Sequence, residues 1–209
     1  METEKRYKVI LMGESNSGKT SIANRISKDI FISDQPSTIG SCQFDINQKF
    51  DNQPVRYSLW DTAGQEKYRS LIPSYTRDAD IILLVFDLSD PDHFSSIEGW
   101  YQVLKQTMTG NPLIILIGNK LDLGISMDLD KIQECCDKIS KDMKSNNQNA
   151  QDVVFLETSA KTTDGIQNLI DYISKSLLEM NQNVNETTKV LSPPPLQELP
   201  KDSRKKKCC

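Results

Sequence analysis

Gly13-Glu14-Ser15-Asn16-Ser17-Gly18-Lys19-Thr20 is the stretch that decides the fold. Its pattern, Gly-x4-Gly-Lys-Thr, is that of a Walker A phosphate loop. It follows the apolar run Val9-Ile10-Leu11-Met12 and leads into a helix-forming segment, so it reads as strand, loop, helix. Gly13 and Gly18 permit tight turns in which backbone N–H groups approach phosphate oxygens. The N–H groups of Gly13, Ser15, Asn16, Ser17 and Gly18, and those of the first helical turn through Ser21, are the expected phosphate contacts. The positive end of that helix favours the same anions. Lys19 can reach the β- and γ-phosphates as a point charge, and the Thr20 hydroxyl suits Mg²⁺, a hard cation that prefers oxygen.

Phosphate binding alone leaves the base open. Asn119-Lys120-Leu121-Asp122 closes that question, because it follows a second apolar run at 113–118 and so sits at a strand end. Guanine presents N1–H and its 2-amino group side by side, and one carboxylate, Asp122, can accept both. Adenine has no matching pair of donors. Lys120 can lie along the base, and Asn119 can tie this loop to the phosphate loop. Glu157-Thr158-Ser159-Ala160-Lys161 follows a short strand, so the N–H groups of Ser159, Ala160 and Lys161 are placed to meet guanine O6. GTP and GDP are the ligands these motifs predict.

Strand and helix patterns alternate along the chain, the signature of an α/β sandwich with a mostly parallel sheet. The patterning predicts strands at 7–13, 41–50, 54–61, 80–87, 112–118 and 153–157, and helices at 18–28, 67–76, 92–109, 127–145 and 164–180. Asp51-Asn52-Gln53-Pro54 reads as a hairpin turn, which puts one antiparallel strand beside the parallel set. The runs at 81–86 and 113–117 are continuously apolar, as strands covered on both faces must be. Ile166, Leu169, Ile170, Ile173 and Leu177 recur at helical spacing and predict a core-facing stripe. Residues 145–152 read as a polar surface loop.

With these motifs in order, the chain resembles the Ras superfamily of small GTPases and, within it, the Rab family. The resemblance covers residues 7 to 180 and the last two residues. It implies a three-layer P-loop fold: a six-stranded, mostly parallel sheet with helices on both faces. Asp61-Thr62-Ala63-Gly64-Gln65-Glu66 resembles switch II, where Asp61 would hold Mg²⁺ through water. There the Gly64 N–H would meet the γ-phosphate and Gln65 would orient the attacking water. Ser37-Thr38-Ile39-Gly40 resembles switch I, which makes Thr38 a Mg²⁺ ligand beside Thr20 in the GTP state. Trp60 and Lys67-Tyr68-Arg69-Ser70-Leu71 point to Rab. The resemblance also implies an exchange factor, an activating protein, a prenylation escort, a GDP-dissociation inhibitor, and effectors that read the switches around 34–45 and 64–77. Three positions depart from the family pattern. Gln43 stands where an aromatic triad with Trp60 and Tyr75 usually has Phe, and Phe44 should face the opposite side of its strand. Asn16 replaces a small residue, which its tolerance of left-handed backbone permits. Asp78 stands where Gly is common.

The 209 residues suit one domain at 1–180 and a tail at 181–209 too poor in apolar residues to fold. Five basic residues against one acid give the stretch from 201 a charge of +4, which leaves −8 on the rest of a chain that carries −4 overall. A basic tail on an acidic body suits an anionic membrane, whereas an acidic body argues against nucleic acid. Cys208-Cys209 resembles the Rab double-geranylgeranylation signal, and two lipid chains anchor stably where one does not. This places the expected protein, a monomer, on the cytoplasmic face of an intracellular membrane. Adjacent cysteine pairs suit neither a zinc site nor a disulfide framework. The single histidine, His93, excludes a multi-histidine metal site and is expected at the surface. The resemblance predicts a slow GTP hydrolase serving vesicle transport, with Lys19 and Gln65 as its catalytic groups. The alternative is a nucleotide-locked binding module on the same fold, against which Thr20, Thr38 and Gln65 argue together. An ATP-using P-loop enzyme is countered by Asp122.

Overall fold

The computed structural model describes residues 6–64 and 72–190. Among the described residues six strands form one sheet in the order β2-β3-β1-β4-β5-β6. They are β1 (Tyr7–Met12), β2 (Ser41–Phe50), β3 (Gln53–Thr62), β4 (Ile81–Asp87), β5 (Leu113–Asn119) and β6 (Val154–Glu157). Only β2 runs antiparallel, paired with β3 from Ser41 opposite Thr62 to Phe50 opposite Gln53. The expected fold class is the observed one: a mostly parallel sheet with one antiparallel strand and helices on both faces.

Two apolar layers enclose the sheet. Val9, Leu11, Leu59, Leu83 and Ile115 face one of them with Ile22 of α1 (Lys19–Lys28) and Leu169, Ile173 and Leu177 of α6 (Ile166–Val190). Ile10, Met12, Ile82, Leu84 and Leu116 face the other, together with Trp100 and Leu104 of α4 (Ile97–Thr107) and Ile132 and Ile139 of α5 (Leu129–Asn146). Alternate residues of one strand thus serve opposite layers, which is why the central strands read as unbroken apolar runs.

Several boundaries differ from the sequence expectation for local reasons. The hairpin turns on Asp51 and Asn52 alone, both left-handed at φ 48° and 62°, the geometry of a two-residue type I′ turn. Pro54 belongs to β3, opposite Lys49. The expected helix at 92–109 is two, α3 (Pro91–Ser95) and α4, divided at Ser96. Asp90 caps α3 by accepting from the Asp92 N–H at 3.0 Å, and Asp128 caps α5 in the same way. The expected helix at 67–76 is described only as α2 (Ile72–Thr76); residues 67–71 lie outside the described residues. The last helix passes its expected end at 180 and reaches Val190, because residues 181–190 hold neither Gly nor Pro and the first breaker is Pro193. His93, expected at the surface on a helix start, lies in α3 but is partly buried: its side chain is 16% exposed, and among the described residues the buried Nδ1 has no hydrogen-bond partner. The polar loop at 145–152 is pinned by a Lys144–Asp152 ion pair and by the buried Ala150.

Candidate guanine-nucleotide site

The C-terminal ends of β1, β4 and β5 and the start of α1 meet at one rim, where an open α/β sheet places its ligands. At Gly13 the chain turns off β1 with φ 136°, and a Cβ there would lie 2.0 Å from the Val85 carbonyl oxygen. Only glycine fits. Asn16 takes the left-handed conformation at φ 66°. Gly18 precedes α1 at φ 91°, and a Cβ there would meet the Asn119 amide nitrogen at 2.2 Å. Lys19 folds back over the loop, with Nζ donating to the carbonyls of Gly13 at 3.0 Å and Glu14 at 2.5 Å. Burial pushes its ammonium down to about 8, although Asp61 and Glu14 pull it back upward. A cation held in this way gains most from an anion that arrives without water.

Asn119 ends β5 and bonds outward in three directions. Its Nδ2 donates to the Ser17 carbonyl at 3.0 Å, and Oδ1 accepts from Thr158 Oγ1 and the Ala160 N–H, each at 3.2 Å. The phosphate loop and the loop after β6 are therefore fastened through one side chain. Lys120, left-handed at φ 65°, extends to Asp87 at 2.8 Å. Burial alone would raise the Asp87 carboxyl, but hydrogen bonds from Lys120 and Ser89 outweigh it and hold the group low. Asp122 accepts from Ser159 Oγ at 2.6 Å and lies 3.5 Å from Lys161 Nζ. Its carboxylate is thus oriented within the protein itself.

At the opposite end Thr20 Oγ1 lies 2.8 Å from Thr38 Oγ1, and Thr38 donates to Asp61 Oδ2 at 3.4 Å. Asp61 is 1% exposed; burial raises its carboxyl, and among the described residues Oδ1 has no hydrogen-bond partner. Two hydroxyls and a buried carboxylate with an unused oxygen are hard donors, a set that fits Mg²⁺. Among the described residues no cluster of His, Cys, Asp and Glu could itself hold a metal. Gly64 packs on the loop: a Cβ there would lie 2.5 Å from Lys19 Nζ and 2.6 Å from the Ser15 nitrogen.

Between these ends lies a cavity of about 340 Å³, within the range of small-molecule sites. Ser15, Asn16, Gly18, Lys19, Thr20, Ser21, Thr38, Gly64, Asn119, Lys120, Asp122, Ala160 and Lys161 all line it. Gly13, Ser17, Asp61 and Ser159 stand behind that lining and hold it. Gln65, Cys208 and Cys209 lie outside the described residues. Sequence reasoning missed three residues. Asp87 is opposite Asn119 in the β4–β5 register, and the one acid closing the apolar run of β4 was its available signal. Arg25, one α1 turn past Ser21, donates to the Ala160 carbonyl at 3.0 Å. Phe31 lines the cavity while 38% exposed; neither it nor Arg25 carried a motif.

A phosphate loop at one end of a cavity and a carboxylate oriented for a base at the other define a guanine-nucleotide-binding P-loop protein. The Ras family model matches residues 8–179, and the chain belongs to the Ras family. It is therefore a small GTPase, a switch that binds GTP and GDP, hydrolyses GTP, and works with exchange factors, activating proteins and effectors.

Proposed function

We propose that this chain is a Rab-type switch, anchored to a membrane by its lipidated C-terminus and active in vesicle transport. The observation that carries the switch reading is the Thr20–Thr38–Asp61 contact, which connects the first turn of α1, the 29–40 loop and the end of β3 at the phosphate end. In the GTP state Thr20 and Thr38 would ligate Mg²⁺ and Asp61 would hold it through water. Held there by Thr20, Thr38 and Asp61, the ion would supply charge neutralisation to the phosphates. Lys19 adds a second positive charge, and Gln65 orients the attacking water. Phosphoryl transfer asks the protein mainly for positioning and electrostatics. The described P-loop carries no arginine that could act in cis, so unaided hydrolysis is slow and an activating protein accelerates it; for Ras that gain is roughly 10⁵-fold. Loss of the γ-phosphate releases Thr38 and Gly64, which changes partner affinity.

Trp60 and the 67–71 segment support the Rab assignment, and Cys208-Cys209 supports double prenylation with its escort and GDP-dissociation-inhibitor partners. Gln43 sets the expected partner surface apart. It is exposed opposite Trp60 and donates to Asp45 Oδ1 and Ser58 Oγ, each at 3.2 Å, while Phe44 packs on the other layer. A polar ladder therefore occupies the ground of an aromatic triad. The deciding experiment is the nucleotide content of the purified protein, followed by single-turnover GTP hydrolysis with Mg²⁺ and intact-mass analysis of the chain expressed in a eukaryotic host. Bound guanine nucleotide, slow turnover and two added isoprenoids support the proposal. Tight GTP without turnover, even in cell extract, would instead establish a locked binding module.

A further inference from the structure

Glu14 puts a carboxylate into a loop that must receive phosphates, and its two oxygen-bearing groups have different partners. The backbone carbonyl accepts from Lys19 Nζ at 2.5 Å and from Ser17 Oγ at 3.0 Å. The carboxylate accepts at 3.1 Å from the indole Nε1 of Trp100, a residue 86 positions away. Trp100 is 2% exposed and sits on the inward face of α4 between Ile97 and Leu104. Its indole N–H is a donor only, carried on a packed ring, so it is suited to hold an anion.

We infer that Trp100 is a positioning residue for the phosphate site, holding the Glu14 carboxylate against α4 so that Lys19 remains available to nucleotide phosphates. This rests on the reading of the cavity as a phosphate site. Two observations carry it. Lys19 donates to the neutral carbonyls of Gly13 and Glu14 rather than to the Glu14 carboxylate. A neutral carbonyl yields to a phosphate more readily than a carboxylate would, because a carboxylate would form an ion pair with the ammonium and compete for it. Finally, the junction is crowded: a Cβ on Gly64 would lie 2.7 Å from the Glu14 carbonyl carbon and 2.5 Å from Lys19 Nζ. A carboxylate moved toward Lys19 would therefore also press on the segment that should meet the γ-phosphate.

The test is a double-mutant cycle on the full chain, read as affinity for GDP and GTP by competition with a fluorescent guanine nucleotide. Trp100→Phe keeps an aromatic ring in the core and removes the donor; it should weaken both nucleotides about tenfold, the scale of one hydrogen bond to a charged group. Adding Glu14→Gln to that variant should restore most of the loss, because an uncharged amide offers Lys19 only a neutral acceptor and cannot form an ion pair with it. The Glu14→Gln single variant closes the cycle. Unchanged affinity in Trp100→Phe overturns the inference. So does a double variant as weak as Trp100→Phe, since Trp100 would then act through packing alone. Should Trp100→Phe not fold, benzothienylalanine at position 100 keeps the indole shape without the N–H and gives the same readout. Wild-type protein that binds no guanine nucleotide sinks the phosphate-site reading itself, a result distinct from either failure of the variants.

Discussion

The two ends of the cavity are built to different standards of rigidity. At the base end every group is braced by a neighbour from another loop: Asp122 by Ser159, Lys120 by Asp87, and Asn119 by Ser17, Thr158 and Ala160. At the phosphate end the bracing is sparse. Thr38 reaches Asp61 only at 3.4 Å, Asp61 keeps a buried oxygen without a partner among the described residues, and residues 29–40 lie outside regular secondary structure. The difference teaches which half is made in advance and which is completed by its ligand. A base differs little between GTP and GDP, so its site can be fixed. The γ-phosphate comes and goes, and the elements that sense it must be free to follow.

Breaking the braced end should have the largest effect. Asp122→Asn removes an acceptor for two guanine donors, and a loss on the order of 10³-fold in GDP affinity is expected, with xanthine nucleotide now preferred. Competition between GDP and XDP measures this, and an unchanged preference would remove Asp122 from base recognition. Asn119→Ala deletes three buried hydrogen bonds and should lower stability by about 3 kcal/mol in urea unfolding. A loss near zero would mean that the brace is ornamental.

The phosphate end should respond to conditions more than to deletion. Lys19 sits at about 8 in the free protein against an ordinary 10.5, and bound phosphates would raise it. Nucleotide affinity should therefore fall as pH rises through about 8, by at most about tenfold per pH unit. The sign for the nucleotide-free fold is opposite: between about 8 and 10.5 the unfolded chain holds a proton that the native state has shed, so native stability rises with pH. Isothermal titration at several pH values reads the first effect and chemical unfolding the second. Thr38→Val should leave GDP affinity near normal while removing the GTP-dependent protection of residues 29–40 in hydrogen exchange. Equal protection in both nucleotide states would contradict the comparison. Gln43→Phe, on an exposed strand face, should change stability by less than about 0.5 kcal/mol, and any consequence should be confined to partner capture.

Most of the framework was legible from the chain because its signals are local and repetitive. The continuous apolar runs of β4 and β5 and the Ile166–Leu177 stripe need only periodicity, and both lie where they were expected. The site motifs were legible because phosphate and guanine each dictate residue types at fixed spacing. Asp87 and Arg25 were not, since each acts across the sheet rim on a partner remote in sequence, and single charged residues carry no pattern. The division of the 92–109 helix at Ser96 was hidden for a related reason: Ser96 takes helical dihedrals at φ −75° and ψ −17°, so no Gly or Pro marks the break. Asp78 shows the reverse. Its left-handed backbone at φ 57° accounts for glycine being common at that position, and its N–H donates to Thr109 Oγ1 at 3.0 Å.

Asn119 has a mechanical meaning beyond recognition. Because one amide spans the cradle for the phosphates and the shelf for the base, neither half can swing away without dragging or snapping the other. Release of a nucleotide is then closer to undoing a clasp than to opening a door. A partner that prises up either flap must strain or break the bonds of this one amide, and it disturbs the other flap in doing so.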